Sequence, residues 1–344
     1  MSHELRAKRI LVTGGAGFIG SHIVDRLVAL GSDVVVLDNL SAGKLENLSQ
    51  SQEKIKFIKG DIKNEKDLEV ALDGVEYVCH QAALRSVPDS MNKPLEYNNV
   101  NVTGALKLFL KAKKTGIKRI VCASSSSVYG ERDSFPEKES DETKPISPYA
   151  ATKLIVEKYS QVFNQSYGME IINLRYFNVF GPRQSLDDEY AVVIPKFINC
   201  LLNDKAPPIY GDGNQERDLI YINNVVDINI KSLEQESISS KVFNVGSGMP
   251  NSVNNLFKNL KDIIGSKIEP DYQPLRLGDV RKTYADMQKA KELLNFSSKV
   301  DFIQGLEETV KWFREQKTEN RRQRTEDRRQ RTEVRCQKTE DFDF

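Results

Sequence analysis

Thr13-Gly14-Gly15-Ala16-Gly17-Phe18-Ile19-Gly20 joins a short β-branched run to an amphipathic stretch. Few sequences leave the chain so little choice. The spacing of Gly14, Gly17 and Gly20 lets the backbone turn tightly, approach a pyrophosphate and pack helix against strand. The free amides of the helix N-terminus, at Phe18 and Ile19, then face negative charge. A glycine triplet alone is weak evidence. Here a strand precedes it, a helix follows, and an acid, Asp38, ends the second strand 18 positions beyond Gly20. A carboxylate there accepts hydrogen bonds from both hydroxyls of an adenosine ribose and repels a 2′-phosphate, so NAD is expected over NADP. Gly60-Asp61-Ile62 after the third strand reads in two ways, as a seat for the adenine or as an ordinary turn.

The rest of the first half repeats this strand–helix alternation. Strands are predicted at Lys8–Thr13, Asp33–Asp38, Ile55–Lys59, Val75–Cys79, Arg119–Ala123 and Glu170–Arg175. Their near-continuous apolar character fits parallel strands covered on both faces. Helices are predicted at Phe18–Leu30, Lys66–Leu72, Pro94–Lys114 and Pro148–Tyr167. The fold expected is α/β, a Rossmann-like doubly wound parallel sheet with a smaller C-terminal substrate-binding lobe. Residues 1–178 form the NAD-binding domain, with 219–245 returning to it, and 179–218 and 246–315 form the lobe. In that second part strands are predicted at Leu219–Ile222 and Lys241–Val245, and helices at Asn224–Leu233, Ser252–Ile264, Met287–Leu294 and Phe302–Glu315. Residues 316–344 repeat Lys/Arg-Thr-Glu every seven positions. The repeat lacks the apolar positions of a coiled coil, so a disordered tail is expected.

Composition narrows the function. The chain has 50 Lys and Arg against 49 Asp and Glu, a net charge of +1, which argues against a protein built to coat nucleic acid or an anionic membrane. No apolar run is long enough to span a bilayer. Four dispersed cysteines (Cys79, Cys122, Cys200, Cys336) and three histidines offer no metal-ligand spacing, and a reducing cytoplasm is the expected compartment. The chemistry is therefore sought elsewhere. Tyr149 and Lys153, spaced i and i+4 at a helix start, point the same way. A neighbouring ammonium and a nicotinium ring both stabilise a phenolate and draw its pKa down towards neutrality. The serine run Ser124–Ser127 ends the preceding strand, at the carboxyl edge where such sheets bind ligands.

TGGAGFIG, HQAAL, SSSSVYG, Tyr149-Ala-Ala-Thr-Lys153 and Leu174-Arg-Tyr-Phe-Asn178 stand in order along the chain. Together they resemble the extended short-chain dehydrogenase/reductase superfamily. Within it the chain is similar to nucleotide-sugar 4-epimerases of the UDP-glucose and UDP-N-acetylglucosamine type, from about Arg9 to Arg314. The resemblance implies that Tyr149 deprotonates the sugar 4-hydroxyl while C4 gives its hydride to NAD. The 4-keto sugar turns over and takes the hydride back on its other face. Ser125 matches the serine that hydrogen-bonds the 4-oxygen, and Lys153 the residue that holds the nicotinamide ribose. Asp38, Asn39 and Ser41 match ribose contacts, Asp61 and Ile62 adenine contacts, and Ala82, Ala83, Arg85 and Asn101 the cofactor lining, with Tyr176 beside the nicotinamide. Asn178, Arg217, Arg276 and Asp279 match UDP contacts.

The serine run carries no Asp-Glu pair, which argues against a 4,6-dehydratase. Thr283 matches a position where a small residue admits an N-acetyl group, and Ser126 and Ser127 can hydrogen-bond one. The expected substrates are UDP-GlcNAc/UDP-GalNAc, with or without UDP-Glc/UDP-Gal. Two alternatives stay open: a UDP-glucuronate 4-epimerase, with Arg85 facing the C6 carboxylate, and a non-catalytic NAD-binding sensor or scaffold. The resemblance also implies a homodimer joined through the helices Pro94–Lys114 and Pro148–Tyr167.

Overall fold

The computed structural model describes residues 4–186, 193–235, 238, 241–275 and 281–319. Strands β1 (Arg9–Thr13), β2 (Asp33–Asp38), β3 (Ile55–Lys59), β4 (Tyr77–His80), β5 (Arg119–Ser125) and β6 (Glu170–Tyr176) come first. Among them run helices α1 (Phe18–Ala29), α2 (Glu65–Ala71), α3 (Val87–Asn92), α4 (Pro94–Tyr97), α5 (Gly104–Thr115) and α6 (Pro148–Tyr167). The remainder comprises β7 (Asn178–Phe180), α7 (Val193–Leu202), β8 (Pro208–Tyr210), β9 (Glu216–Tyr221), α8 (Ile222–Glu234), β10 (Val242–Val245), β11 (Pro250–Ser252), α9 (Val253–Ile264), β12 (Asp271–Gln273), β13 (Lys282–Thr283), α10 (Gln288–Leu294) and α11 (302–319).

Seven strands form the main sheet in the order β10-β6-β5-β4-β1-β2-β3, every pair parallel. Strand order reverses between β1 and β4, and the crevice beyond their carboxyl ends is where such sheets bind ligands. Each face of the sheet is covered. Along β2, Val34 and Val36 enter the core shared with α1 and α8, while Val35 and Leu37 enter the core shared with α2, α5 and α6. Burial on both faces is why the strands read as unbroken apolar runs rather than alternating ones.

A second sheet pairs β9 with β7, β11 and β13. All six residues of β9 pair there, so the boundary expected between 218 and 219 falls inside a strand. The chain rejoins the main sheet only with α8 and β10. A strand's ladder pairs as a unit, and that pairing is not encoded in the local sequence. The helix predicted over Pro94–Lys114 contains a wide π turn at Asn98–Thr103. A single wide turn has no periodic signature of its own, so it is not legible in the apolar pattern. The last helix runs to residue 319; the remainder of the repeat tail lies outside the described residues.

Candidate active site

The glycine turn and the segment after β4 meet at the reversal point. Gly14 has φ +70°, and a Cβ there would stand 2.7 Å from the Ala82 nitrogen. At Gly20 a Cβ would come within 2.1 Å of the Gly14 carbonyl oxygen. Only hydrogen fits at either place. No side chain caps α1 and no acid stands in its first turn, which leaves the helix N-terminus suited to an anion. Asp38 is buried, and its Oδ2 accepts from the Ala16 amide at 3.0 Å and its Oδ1 from the Leu40 amide at 2.8 Å. Burial raises its pKa, and these two hydrogen bonds oppose the rise. One carboxylate thus locks the glycine turn to the end of β2, and each oxygen keeps acceptor capacity for a further donor.

Other predicted cofactor residues are placed less directly. Asn39 donates to Asp61 Oδ2 at 3.1 Å and accepts from the Ser41 amide at 3.0 Å. Asp61 Oδ1 accepts from the Lys63 amide at 2.8 Å, so Asp61 does build a turn. The Ile62 side chain packs in the core against Gly104, leaving its backbone as the part open to a ligand. Asn101, carried inward by the π turn, donates to the Leu84 carbonyl and to Thr152 and accepts from the Leu84 amide. Its bonds hold the 81–86 segment, and with it Ala82, Ala83 and Arg85, over the crevice. The Tyr176 hydroxyl bonds to Asn229 and Gln81 on the floor of the same space.

The carboxyl end of β5 faces the first turns of α6. Ser147 caps this helix by accepting from the Ala150 amide, and Pro148 follows it, which starts the helix sharply before Tyr149. Lys153 is buried and donates to the Ala123 carbonyl at 2.8 Å, with its Nζ 5.9 Å from the centre of the Tyr149 ring. Burial lowers the Lys153 pKa to about 8. Ser125 accepts hydrogen bonds from the Ser127 amide at 3.2 Å and hydroxyl at 2.8 Å.

Burial raises the Tyr149 pKa, and the Ser125 hydroxyl and the Arg85 charge pull the other way. The Lys153 ammonium donates to the Ala123 carbonyl and stands over the Tyr149 ring. His80, which the sequence offered no role, is buried against Thr13 at 2.7 Å and held neutral, its pKa lowered by burial to about 3 with the Lys153 charge adding to the effect.

The second sheet supplies the remaining candidates. Its register sets Arg217 beside Asn251 on one side and Thr283 on the other, and Asn178 beside Leu219. Asn178 donates to the Asp218 carbonyl at 3.0 Å. The Thr283 hydroxyl is buried without a hydrogen-bond partner. Arg276 and Asp279 lie outside the described residues. Asp218, which sequence reasoning passed over beside Arg217, is fully buried and accepts from the amides of Ser247, Gly248 and Ala285 and the Ser247 hydroxyl. It fixes the strand that carries Thr283 against the main body.

Residues 10–246 match the NAD dependent epimerase/dehydratase family. This chain belongs to that family. It is 45% identical to the UDP-N-acetylglucosamine 4-epimerase of Methanobrevibacter ruminantium, solved with UDP-N-acetylmuramic acid (TM-score 0.87; 90% of this chain, 99% of that one). It is 42% identical to the UDP-glucose 4-epimerase of Thermotoga maritima, solved with UDP-glucose (TM-score 0.85; 90% and 99%). A UDP-glucuronate 4-epimerase of Thermodesulfobacterium geofontis is 36% identical, over 89% of this chain and 96% of its own length.

The enzyme is an NAD-dependent epimerase of the extended short-chain dehydrogenase/reductase type. Its residues fit that cofactor on geometric grounds: a glycine turn with no room for side chains, an uncapped helix N-terminus and a buried carboxylate at the end of β2.

Proposed function

We propose that the enzyme inverts C4 of a UDP-hexose and accepts the N-acetylated pair, UDP-GlcNAc and UDP-GalNAc. The observation that carries this is Thr283. Its small side chain lies across the ladder from Arg217, and its hydroxyl has no hydrogen-bond partner among the described residues. A bulky residue there would narrow the space beside the sugar; a threonine leaves room. Ser126 and Ser127, at the end of β5, offer further hydroxyls to an acetamido group.

The resident groups act as follows. Gly14, Gly17, Phe18, Ile19, Gly20 and Asp38 hold the pyrophosphate and adenosine ribose, with Asn39, Ser41, Asp61 and Ile62 bordering the adenine. Tyr149 takes the proton of the 4-hydroxyl at its phenolic oxygen and later returns it, and Ser125 orients that oxygen. Lys153 holds the nicotinamide ribose. When bound, NAD supplies the hydride acceptor and donor for sugar C4 and, as a pyridinium, positive charge beside the phenol. Asn178, Arg217, Arg276 and Asp279 grip the diphosphate and uridine, where a guanidinium fork matches phosphate geometry.

A second reading has its own observation. Arg85 follows Leu84, whose backbone Asn101 holds, and a cation on that segment suits a C6 carboxylate. Incubation with UDP-GlcNAc, UDP-glucose and UDP-glucuronate separates the two readings. Turnover of UDP-GlcNAc with kcat/KM at least comparable to that for UDP-glucose is expected. No turnover of the acetylated pair overturns the proposal, and exclusive turnover of the uronate establishes the second reading. Tyr149→Phe should abolish epimerisation with NAD still bound.

We also infer that a second copy covers the exposed apolar face of α5 and α6, which carries Leu110, Ile155, Tyr159 and Val162.

A further inference from the structure

Three consecutive residues of β5 each engage a residue one helical turn apart on α6. The Ala123 carbonyl accepts from Lys153, the Ser124 hydroxyl donates to Glu157 at 2.5 Å, and the Ser125 hydroxyl acts on the Tyr149 phenol. Tyr149, Lys153 and Glu157 follow at i, i+4 and i+8, one stripe of the helix. The β6 residue opposite Ser124 in the ladder is Arg175, and it closes on the same carboxylate with two bonds, Nε to Oε1 at 2.9 Å and Nη2 to Oε2 at 2.7 Å. Glu157 and Arg175 are both about 95% buried, with side-chain exposures of 4% and 5%.

A buried carboxylate needs a reason to persist. Ion pairs taken out of water gain little net stability over apolar residues of the same volume. This one stands a single turn beyond Lys153, beneath the reacting groups. Resting on the functional reading above, we propose that Glu157 is a positioning residue: it fixes the register of α6 against β5 and keeps the Lys153 ammonium charged.

The groups around Lys153 agree with this role. His80 on β4 is held neutral, and Cys122 on β5 is a thiol pushed to high pKa by burial. Tyr149 on α6 is a protonated phenol, and Arg175 on β6 carries positive charge turned into Glu157. Glu157, one turn along α6 and paired with Arg175, is thus the acid whose charge opposes the lowering of the Lys153 pKa by burial. Arg175 in turn stacks on Tyr129, whose hydroxyl bonds to Asn244 on β10, so the carboxylate is anchored across the sheet.

The experiment compares the wild-type holoenzyme with Glu157→Gln and with the double variant Glu157→Gln/Arg175→Met, which leaves no buried ion without a partner. Lys153 is followed by NMR on isotope-labelled lysine, assigned with Lys153→Met, and the pH dependence of kcat is measured in parallel. In both variants Lys153 should titrate about one pH unit lower, the reach of one close opposite charge. The alkaline limb of kcat should move with it while KM for the UDP-sugar holds. A folded variant whose Lys153 titrates at the wild-type pH overturns the proposal, as does a loss of kcat with an unmoved alkaline limb. The NMR shift does not depend on turnover. Wild-type protein that epimerises no UDP-sugar while showing the shift would refute the functional reading and support the role of Glu157.

Discussion

At the residue scale, Asp38 does two things with one carboxylate. It closes the glycine turn by accepting from Ala16 and Leu40, and it sets a negative charge where a ribose hydroxyl would donate. Asp38→Asn keeps the shape, removes the charge and turns an amide donor towards one of those two amides. A hydrogen bond to a charged group contributes about 1.5–3 kcal/mol, so NAD affinity should fall by at least about tenfold. The NAD-to-NADP preference should narrow as well. Fluorescence titration with both dinucleotides checks this, and an unchanged ratio of affinities would count against a ribose contact. Thr283 and Tyr149 teach the opposite lesson: their identities were readable, but their environments were not. The spacing of Tyr149 and Lys153 brings the ammonium over the phenol ring, while its hydrogen bond goes to a carbonyl on the neighbouring strand.

At the scale of elements, the contact between the segment after β5 and β13 rests on Glu137. It is buried, accepts from the Tyr284 amide at 2.8 Å, and exchanges backbone hydrogen bonds with Tyr284 and Asp286 on either side of Ala285. Burial raises its pKa to about 7, and the Asp218 charge adds to the rise. The folded-state value lies above the unfolded one, so this group favours the fold below about pH 4.5 and withdraws that support as pH climbs through 7. Glu137→Gln does not titrate. Its Tm relative to wild type should therefore improve by roughly a few degrees between pH 5 and pH 8. Thermal melts across that range read the difference, and a Tm gap that stays constant with pH would contradict the assignment. Helix starts such as Ser147-Pro148 were legible because caps are local. The π turn and the ladder of β9 were not, because each is decided by what lies across from it.

At the scale of the whole molecule, α5 and α6 expose several large apolar side chains. Leu110 is 51% exposed and Val162 48%, and Ile155 and Tyr159 are exposed on α6 as well. Apolar side chains grouped at a surface mark interaction sites where they form a patch. Leu110→Glu combined with Val162→Glu should convert a dimer to monomers in light scattering. Val162 lies more than three helical turns beyond Tyr149 on α6, so NAD binding should persist. A wild-type protein that is already monomeric at all concentrations would remove this proposal.

The amino-acid sequence by itself determined the parallel sheet, the glycine turn, the acid at the end of β2 and the Tyr–Lys pair. Each depends on local spacing: period, caps, and glycines where a side chain cannot fit. Tertiary structure alone decided which residues meet across elements. It brought Thr283 to Arg217, closed Ser124 and Arg175 on Glu157, and bonded Lys153 to the Ala123 carbonyl. Those relations depend on strand register and on burial, and burial sets the charge state of every group beneath the site.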